Sequence, residues 1–106
     1  MKLCYTYKKE WKFMEFQYKE LGHDAYAFVY GKDGQNLGEI TWTLMGDVMV
    51  MDHTFISPTL RGQGNAKKLL DHTAEFAREK GYKMEAVCSY VVSAFNQSDE
   101  YEDLKA

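Results

Sequence analysis

The chain changes from strand-like to helix-like patterning within Ser57-Pro58-Thr59-Leu60-Arg61-Gly62-Gln63-Gly64-Asn65-Ala66. Before this segment, Val48 to Ile56 alternates as a β-strand does. After it, Ala66 to Lys80 repeats apolar residues at helix spacing, and Gly81 follows where a helix C-terminus favours glycine. The segment therefore predicts a glycine-containing loop that connects a strand to a helix.

Two further strands are predicted upstream of Val48, at Ala25 to Tyr30 and Gly38 to Leu44. Asp33-Gly34 and Gly46-Asp47 supply the tight turns between the strands, so that they form an antiparallel meander. Strict alternation along Val48 to Ile56 puts His53 on the same face as Met51 and Phe55. A short additional strand is predicted within residues 12–20, and residues 1–11 are expected to be a flexible arm.

A further strand, Lys83 to Cys88, follows the helix. Because a helix lies between it and Val48 to Ile56, the two strands are predicted to pair in parallel as a βαβ unit. Tyr90 to Asn96 and Ser98 to Leu104 have the spacing of short helical turns. The sequence thus predicts one α+β domain over residues 1–106, in which an antiparallel meander precedes a βαβ unit with one main helix.

Composition narrows the class of function. Thirteen basic and sixteen acidic residues give a net charge of −3, which argues against non-specific nucleic-acid binding. Two cysteines favour a reduced, cytoplasmic setting over a disulfide framework. The sequence shows neither a signal-peptide pattern nor an apolar stretch that could span a membrane. The three histidines are too scattered for a zinc site, and His72 is expected on the solvated side of the helix.

The loop has the features of an anion site. Gly62 and Gly64 permit close approach of a ligand, and the N–H groups of the following helical turn have no partner within the helix. Arg61, Lys67 and Lys68 add positive charge, so a pyrophosphate could be bound without a metal. The alternative is a glycine-rich turn that merely starts a helix. Neither the dinucleotide-binding fingerprint nor the P-loop spacing is present.

The loop also resembles the acyl-CoA motif of the GNAT acetyltransferases, in which Arg or Gln precedes Gly by three residues and Gly or Ala by five. Here the motif is Arg61, Gly64 and Ala66, with Gln63 and Asn65 between. Asp52-His53-Thr54 and Cys88-Ser89-Tyr90-Val91 narrow the resemblance to very short, stand-alone GNAT-like proteins. It extends over about residues 25–104.

The resemblance implies that backbone amides of the loop hold the pyrophosphate of acetyl-CoA. It also implies that the backbone near Thr54, Phe55 and Ile56 binds the pantetheine arm between splayed strands. Ser89 and Asn96 could be further ligands to that arm, or they could cap turns. Larger GNAT enzymes have two helices between their first two strands, which help to build the acceptor cleft. Here the corresponding space is the short turn Lys32 to Asn36, or at most the stretch before Ala25, so the acceptor site is expected to be shallow, open or differently made.

Three residues are candidates for catalysis. His53 could act as the general base, since its ordinary pKa lies near neutrality, or it could only hydrogen-bond on the sheet surface. Cys88 could accept the acetyl group, or it could be a small buried hydrophobe. Tyr90 could protonate the leaving thiolate, or it could pack against the helix. His53 and Cys88 would form a base–nucleophile pair if their strands are neighbours.

The sequence therefore predicts an acetyltransferase that uses acetyl-CoA and an unidentified amine or thiol acceptor, without a metal. A non-catalytic acyl-CoA-binding module is the alternative. The acidic run from Asp99 to Asp103 is either a solvated face or an attraction for a cationic acceptor. The protein is expected to be a monomer or a weak homodimer.

Overall fold

The structure, a computed structural model, describes residues 16–32, 35–58 and 64–106. The predicted arm and the loop residues Arg61, Gly62 and Gln63 lie outside the described residues. The elements, in chain order, are β1 (Phe16–Gly22), β2 (Ala25–Lys32), β3 (Gln35–Met45), β4 (Val48–Ile56), α1 (Asn65–Lys80), β5 (Lys83–Ala86), α2 (Ser89–Gln97) and a C-terminal 3-10 helix (Asp99–Leu104).

The five strands of the described residues form one sheet in the order β1-β2-β3-β4-β5. β1 to β4 pair antiparallel, and β5 pairs parallel to β4, which confirms the predicted meander and βαβ unit. A tight turn at His23 and Asp24 joins β1 directly to β2. The additional strand predicted within residues 12–20 is present as β1, and it ends at Gly22.

α1 packs on one face of the sheet, which we call the helical face. Its buried side chains join the core side chains of β2, β3 and β4 and the buried residues of α2 and the 3-10 helix. Gly81 ends α1 in the left-handed conformation, with φ of 77°, as its position in the sequence predicts. The core on this face contains Phe28, Ile40, Trp42, Met49, Met51, Leu69, Leu70, Met84 and Val91.

His72 is not solvated, contrary to its prediction. It is buried in the core, and its ring centroid lies 4.8 Å from that of Phe16 and 4.6 Å from that of Phe28. The helix buries a wider stripe than its sequence spacing indicates, because the β1–β2 hairpin contributes aromatic rings beside α1. Burial lowers the pKa of His72 to about 4.

A β-bulge in β4 overturns the predicted strand faces. Trp42 pairs with Met51 and Thr41 pairs with His53, so Asp52 is an extra residue that has no single partner in β3. The alternation shifts by one residue at this point. Thr54 and Ile56 therefore share the helical face with Met51, while His53 and Phe55 lie on the opposite face, which we call the open face.

Candidate active site

β4 and β5 pair only over part of their length. The parallel register runs from Val48 opposite Lys83 to Met51 opposite Ala86. The N–H groups of Val87 and Cys88 then both donate to the carbonyl oxygen of Met51, at 3.2 and 2.8 Å, while β4 continues to Ile56. Residues 52–56 pair with no strand on that side among the residues that the structure describes. The two strands thus part and leave a gap, beside which α2 begins.

Cys88 lies at this gap, immediately before the first turn of α2. Its Sγ is 3.5 Å from Oγ1 of Thr54, which joins the two sides of the gap. Burial alone raises the pKa of the Cys88 thiol, but the Thr54 hydroxyl and the backbone N–H groups of Val91 and Tyr90 stabilise the thiolate. Together these hydrogen bonds outweigh the effect of burial, so the pKa of Cys88 lies below its ordinary value. This half-buried thiol is therefore suited to act as a nucleophile.

His53 does not join Cys88 in a base–nucleophile pair. The bulge at Asp52 turns the exposed His53 side chain to the open face, whereas Thr54, the hydrogen-bond partner of Cys88, faces α1. Asp52 is also exposed on the open face, where its carboxylate accepts a hydrogen bond of 2.9 Å from the hydroxyl of Thr43. At the gap, the thiol of Cys88 therefore lies towards the helical face, whereas the side chains of His53 and Asp52 lie on the open face.

The head of α1 has the backbone geometry that the glycine loop predicts. Gly64 is the residue before the helix and has a φ of 76°, a conformation that side chains disfavour. Asn65 is buried and Ala66 is half-buried in the first turn, and the N–H of Lys68 closes the turn on the carbonyl of Gly64 at 3.1 Å. The first N–H groups of a helix and its dipole favour an anion at this end.

Lys67 contributes less to such an anion site than its position predicts. Its Nζ lies 2.8 Å from Oδ2 of Asp71 and 3.0 Å from Oε1 of Glu100. The hydrogen bond to Asp71 raises the pKa of Lys67, against the opposing effect of burial, and keeps the ammonium charged. The two carboxylates therefore balance the positive charge of Lys67, which the sequence predicted to face a phosphate.

Lys67 also borders a cleft between α1, α2 and the 3-10 helix. The cleft has a volume of about 210 Å³ and includes Tyr90 and Tyr101 in its lining. Burial, with a smaller effect from Asp71, raises the pKa of Tyr90, so its hydroxyl keeps its proton at neutral pH. The phenol of Tyr90 thus belongs to this cleft, while its backbone N–H faces Cys88.

The remaining predicted ligands lie around the same gap. Phe55 and Ile56 are half-buried at the end of β4, and Ser89 is exposed in the first turn of α2.

The described parts of the chain contain no group of three or more His, Cys, Asp or Glu side chains that could hold a metal ion. In those parts, every helix is also too short or too polar to cross a membrane.

Sequence reasoning missed two features of the site. The bulge at Asp52 leaves no recognisable signal, because neither glycine nor proline marks it. The cleft depends on Asp71 and Tyr101, whose side chains are joined by a hydrogen bond although the residues lie 30 apart in the sequence. Such a contact follows from packing of the C-terminal 3-10 helix on α1, which no local pattern indicates.

The sequence model of the GCN5-related N-acetyltransferases matches residues 25–104. A GCN5-like protein of Staphylococcus aureus, whose solution structure is known, is 35% identical in sequence to the chain. The match covers 85% of this chain and 87% of that one, with a TM-score of 0.66. None of the functionally curated proteins compared with the chain matches it significantly.

Longer acetyltransferases share the fold. The ribosomal-protein-alanine N-acetyltransferase of Brucella melitensis biovar Abortus is 24% identical over 81% of this chain and 66% of its own, with a TM-score of 0.58. An IAA acetyltransferase of Bacillus cereus is 25% identical, and the match covers 59% of this chain and 43% of that one, with a TM-score of 0.52. The family model covers most of the chain, and the Staphylococcus aureus structure is similar over most of both chains: the chain belongs to the GCN5-related N-acetyltransferase family.

Proposed function

We propose that this acetyltransferase takes the acetyl group from acetyl-CoA, bound at the gap between β4 and β5, and transfers it to an amine through Cys88. The parting of the strands after Met51 and Ala86 is the observation that carries the proposal. It exposes strand backbone to an extended ligand, since residues 52–56 have no strand beside them on that side among the described residues. A pantetheine arm, which carries amide groups, can hydrogen-bond to such a backbone.

The head of α1 provides the second part of the binding site. With Gly64 in the left-handed conformation, the first turn of α1 can direct N–H groups at a pyrophosphate. Arg61, Gly62 and Gln63 precede Gly64 and are proposed to supply the remaining contacts, together with Asn65 and Ala66. Lys67 is proposed to act mainly through its ion pairs, because Asp71 and Glu100 already balance its charge.

Cys88 is proposed to act as the nucleophile. Its thiolate attacks the thioester carbon, a new carbon–sulfur bond forms, and the CoA thiolate leaves. The acceptor amine then attacks the acetyl-Cys88 thioester, which forms the amide and releases the Cys88 thiolate. Thr54 and the amides at the start of α2 stabilise that thiolate in both steps.

The acceptor is proposed to arrive from the open face. His53 lies there and can take the proton of the amine as the amine enters the gap, before the amine reaches the acetyl group on Cys88. Asp52 and Glu85 are exposed on the same side near the end of the paired region, and their carboxylates favour a cationic amine over an anionic acceptor. Tyr90 is assigned no proton transfer, since its phenol lines the cleft beside Lys67.

Intact-mass spectrometry after incubation with acetyl-CoA tests the covalent step. We expect a gain of about 42 Da, one acetyl group, on Cys88, which disappears when an acceptor amine is added. The Cys88→Ala variant should gain no mass and should lose transfer activity. Full activity of Cys88→Ala without any adduct would overturn the route through Cys88 and leave direct attack by the amine.

Thermal unfolding with and without CoA separates binding from turnover. Saturation at about one hundred times the Kd should stabilise the native protein by about 2.7 kcal/mol. Stabilisation without release of free CoA thiol across a panel of amines would instead identify a non-catalytic acyl-CoA-binding module. An unchanged unfolding temperature at millimolar CoA would contradict both functions.

A further inference from the structure

We propose that residues 1–15 dock on the surface between β1 and α1, which we call the β1–α1 surface. The segment directly precedes β1 and lies outside the described residues. The proposal does not depend on the acyl-CoA site, because β1 and the gap between β4 and β5 lie at opposite ends of the strand order. It rests on the match between the chemistry of this surface and that of the segment.

The centre of the β1–α1 surface is aromatic. The ring centroid of Tyr18 lies 5.9 Å from that of Tyr26 in β2 and 5.6 Å from that of Phe76 in α1. Phe28 and Trp42 continue the cluster into the core, at 5.7 and 6.4 Å from Tyr18. Tyr18 is nevertheless 45% exposed, whereas Phe76 is buried. Another aromatic side chain can therefore extend the cluster at Tyr18, and pairs of aromatic rings stabilise a structure beyond the area that they bury.

Glutamates border this aromatic centre on two sides. On α1, Glu75 and Glu79 are one helical turn apart and flank Phe76, so both lie beside the ring that contacts Tyr18. On β1, Glu20 follows Tyr18 at strand spacing and therefore lies on the same side of the strand. The β1–α1 surface thus places carboxylates around an apolar centre.

Nearby cations balance only part of this negative charge. The ammonium group of Lys80 lies 5.7 Å from the ring centroid of Phe76. The guanidinium of Arg78 binds Glu75, but it is shared with Asp103 of the 3-10 helix. Two cations therefore face four carboxylates when Glu20 and Glu79 are included, and the surface favours a partner with positive charge.

Residues 1–15 have the matching chemistry, because aromatic residues and lysines alternate with few acidic residues among them. The aromatic residues are Tyr5, Tyr7, Trp11 and Phe13, and the lysines are Lys2, Lys8, Lys9 and Lys12. The segment contains only two acidic residues, Glu10 and Glu15, in a chain whose net charge is −3. Its rings can cover Tyr18 while its ammonium groups reach the glutamates.

The segment also ends where the surface begins. It joins β1 at Phe16, whose ring centroid lies 4.8 Å from that of His72 in α1. From Phe16 to Glu20, β1 extends over roughly 13 Å, and ten residues span roughly 15 Å even as a helix. Direct attachment gives the segment an effective concentration on the order of millimolar, which a second copy or a separate protein would have to exceed. The chain's own segment is therefore the favoured occupant.

Limited trypsin digestion of the full chain, followed by mass spectrometry, tests the proposal. Cleavage after Lys8, Lys9 or Lys12 requires that the segment leave the β1–α1 surface, since proteases act on exposed, extended chain. We expect the Tyr18→Ser variant, which removes the outer ring of the cluster, to be cleaved there about tenfold faster than the native protein. Glu79→Gln should give a smaller increase, because it removes one charge and keeps the rings.

Two matched variants serve as controls. Met45→Ser changes another exposed apolar residue, at the end of β3, and Glu102→Gln changes an exposed glutamate on the 3-10 helix. Both should be cleaved in the segment at the native rate. Cleavage after Lys83 in β5 reports unfolding of the whole protein and should stay slow in every variant.

A second measurement applies to the native protein alone, in case Tyr18→Ser fails to fold. Nuclear Overhauser effects should connect the ring of Trp11 or Phe13 with that of Tyr18 or Phe76. Their absence, or native cleavage after Lys8, Lys9 and Lys12 as fast as in Tyr18→Ser, would overturn the proposal. Protection that increases with protein concentration would identify a second copy as the occupant and would overturn it as well.

Discussion

His72 links the stability of the protein to pH. It lies in the core beside Phe16 and Phe28, and burial lowers its pKa to about 4 from an ordinary value of 6.5. As pH falls, the unfolded chain therefore takes up a proton on His72 before the folded protein does. The free energy of unfolding should be highest above about pH 6.5 and should decrease between about pH 6.5 and pH 4.

Urea denaturation at pH 7 and pH 5 measures this effect. We expect the native protein to lose about 2 kcal/mol more stability over this interval than the His72→Leu variant. The comparison with the variant removes the contribution of the carboxylates, which both proteins share. Equal losses in the two proteins would show that His72 does not titrate between the folded and unfolded states.

Single residues were predictable only where backbone geometry required them. Gly64 and Gly81 have positive φ, which few other residues adopt, so their positions in the sequence are informative. His72 was placed wrongly, because its burial depends on rings from β1 and β2 that are more than 40 residues away. The hydrogen bond between Cys88 and Thr54 was equally hidden, since it depends on how far β4 extends past β5.

The contact between α1 and the 3-10 helix is held by a buried phenol. Tyr101 is 2% exposed, and its hydroxyl donates to the carboxylate of Asp71. Arg78 adds a second connection, because its guanidinium binds both carboxylate oxygens of Asp103 and the carbonyl of Glu100. The acidic run is therefore partly paired within the protein and is not simply a solvated face.

The Tyr101→Phe substitution tests the first of these connections. It removes the hydroxyl and keeps the ring, so it should lower the free energy of unfolding by about 1 kcal/mol in urea denaturation. Tyr82→Phe, a half-buried tyrosine at the other end of α1, should have a smaller effect. A Tyr101→Phe variant as stable as the native protein would mean that the hydrogen bond adds nothing to the packing of the ring.

The positions of the strands along the chain were predicted better than the faces on which their side chains lie. β4 and the parallel β5 follow from alternation and from the change of period at the glycine loop, and β4 has the predicted bounds. The face of His53 could not be predicted, because one extra residue at Asp52 reverses the alternation and nothing in the local sequence marks it. The prediction that His53 and Cys88 form a pair required both side chains on one face, and the bulge separates them.

At the scale of the whole molecule, a turn at His23 and Asp24 is all that separates β1 from β2. β1 continues directly into β2 there, which agrees with the expectation that no pair of helices separates them. The described helices contribute to the core on the helical face. His53 and Asp52 consequently lie exposed on the open face. The family and fold followed from the sequence, whereas the identity of the acceptor did not, because no local motif encodes it.

The central claim is that acyl-CoA binds between β4 and β5 and at the head of α1. Titration of the ¹⁵N-labelled protein with CoA, followed by amide chemical shifts, tests it most directly. We predict the largest shifts at Thr54, Phe55, Ile56, Gly64 and Cys88, and small shifts along β1. Unchanged spectra at saturating CoA, or shifts confined to β1 and β2, would contradict the account.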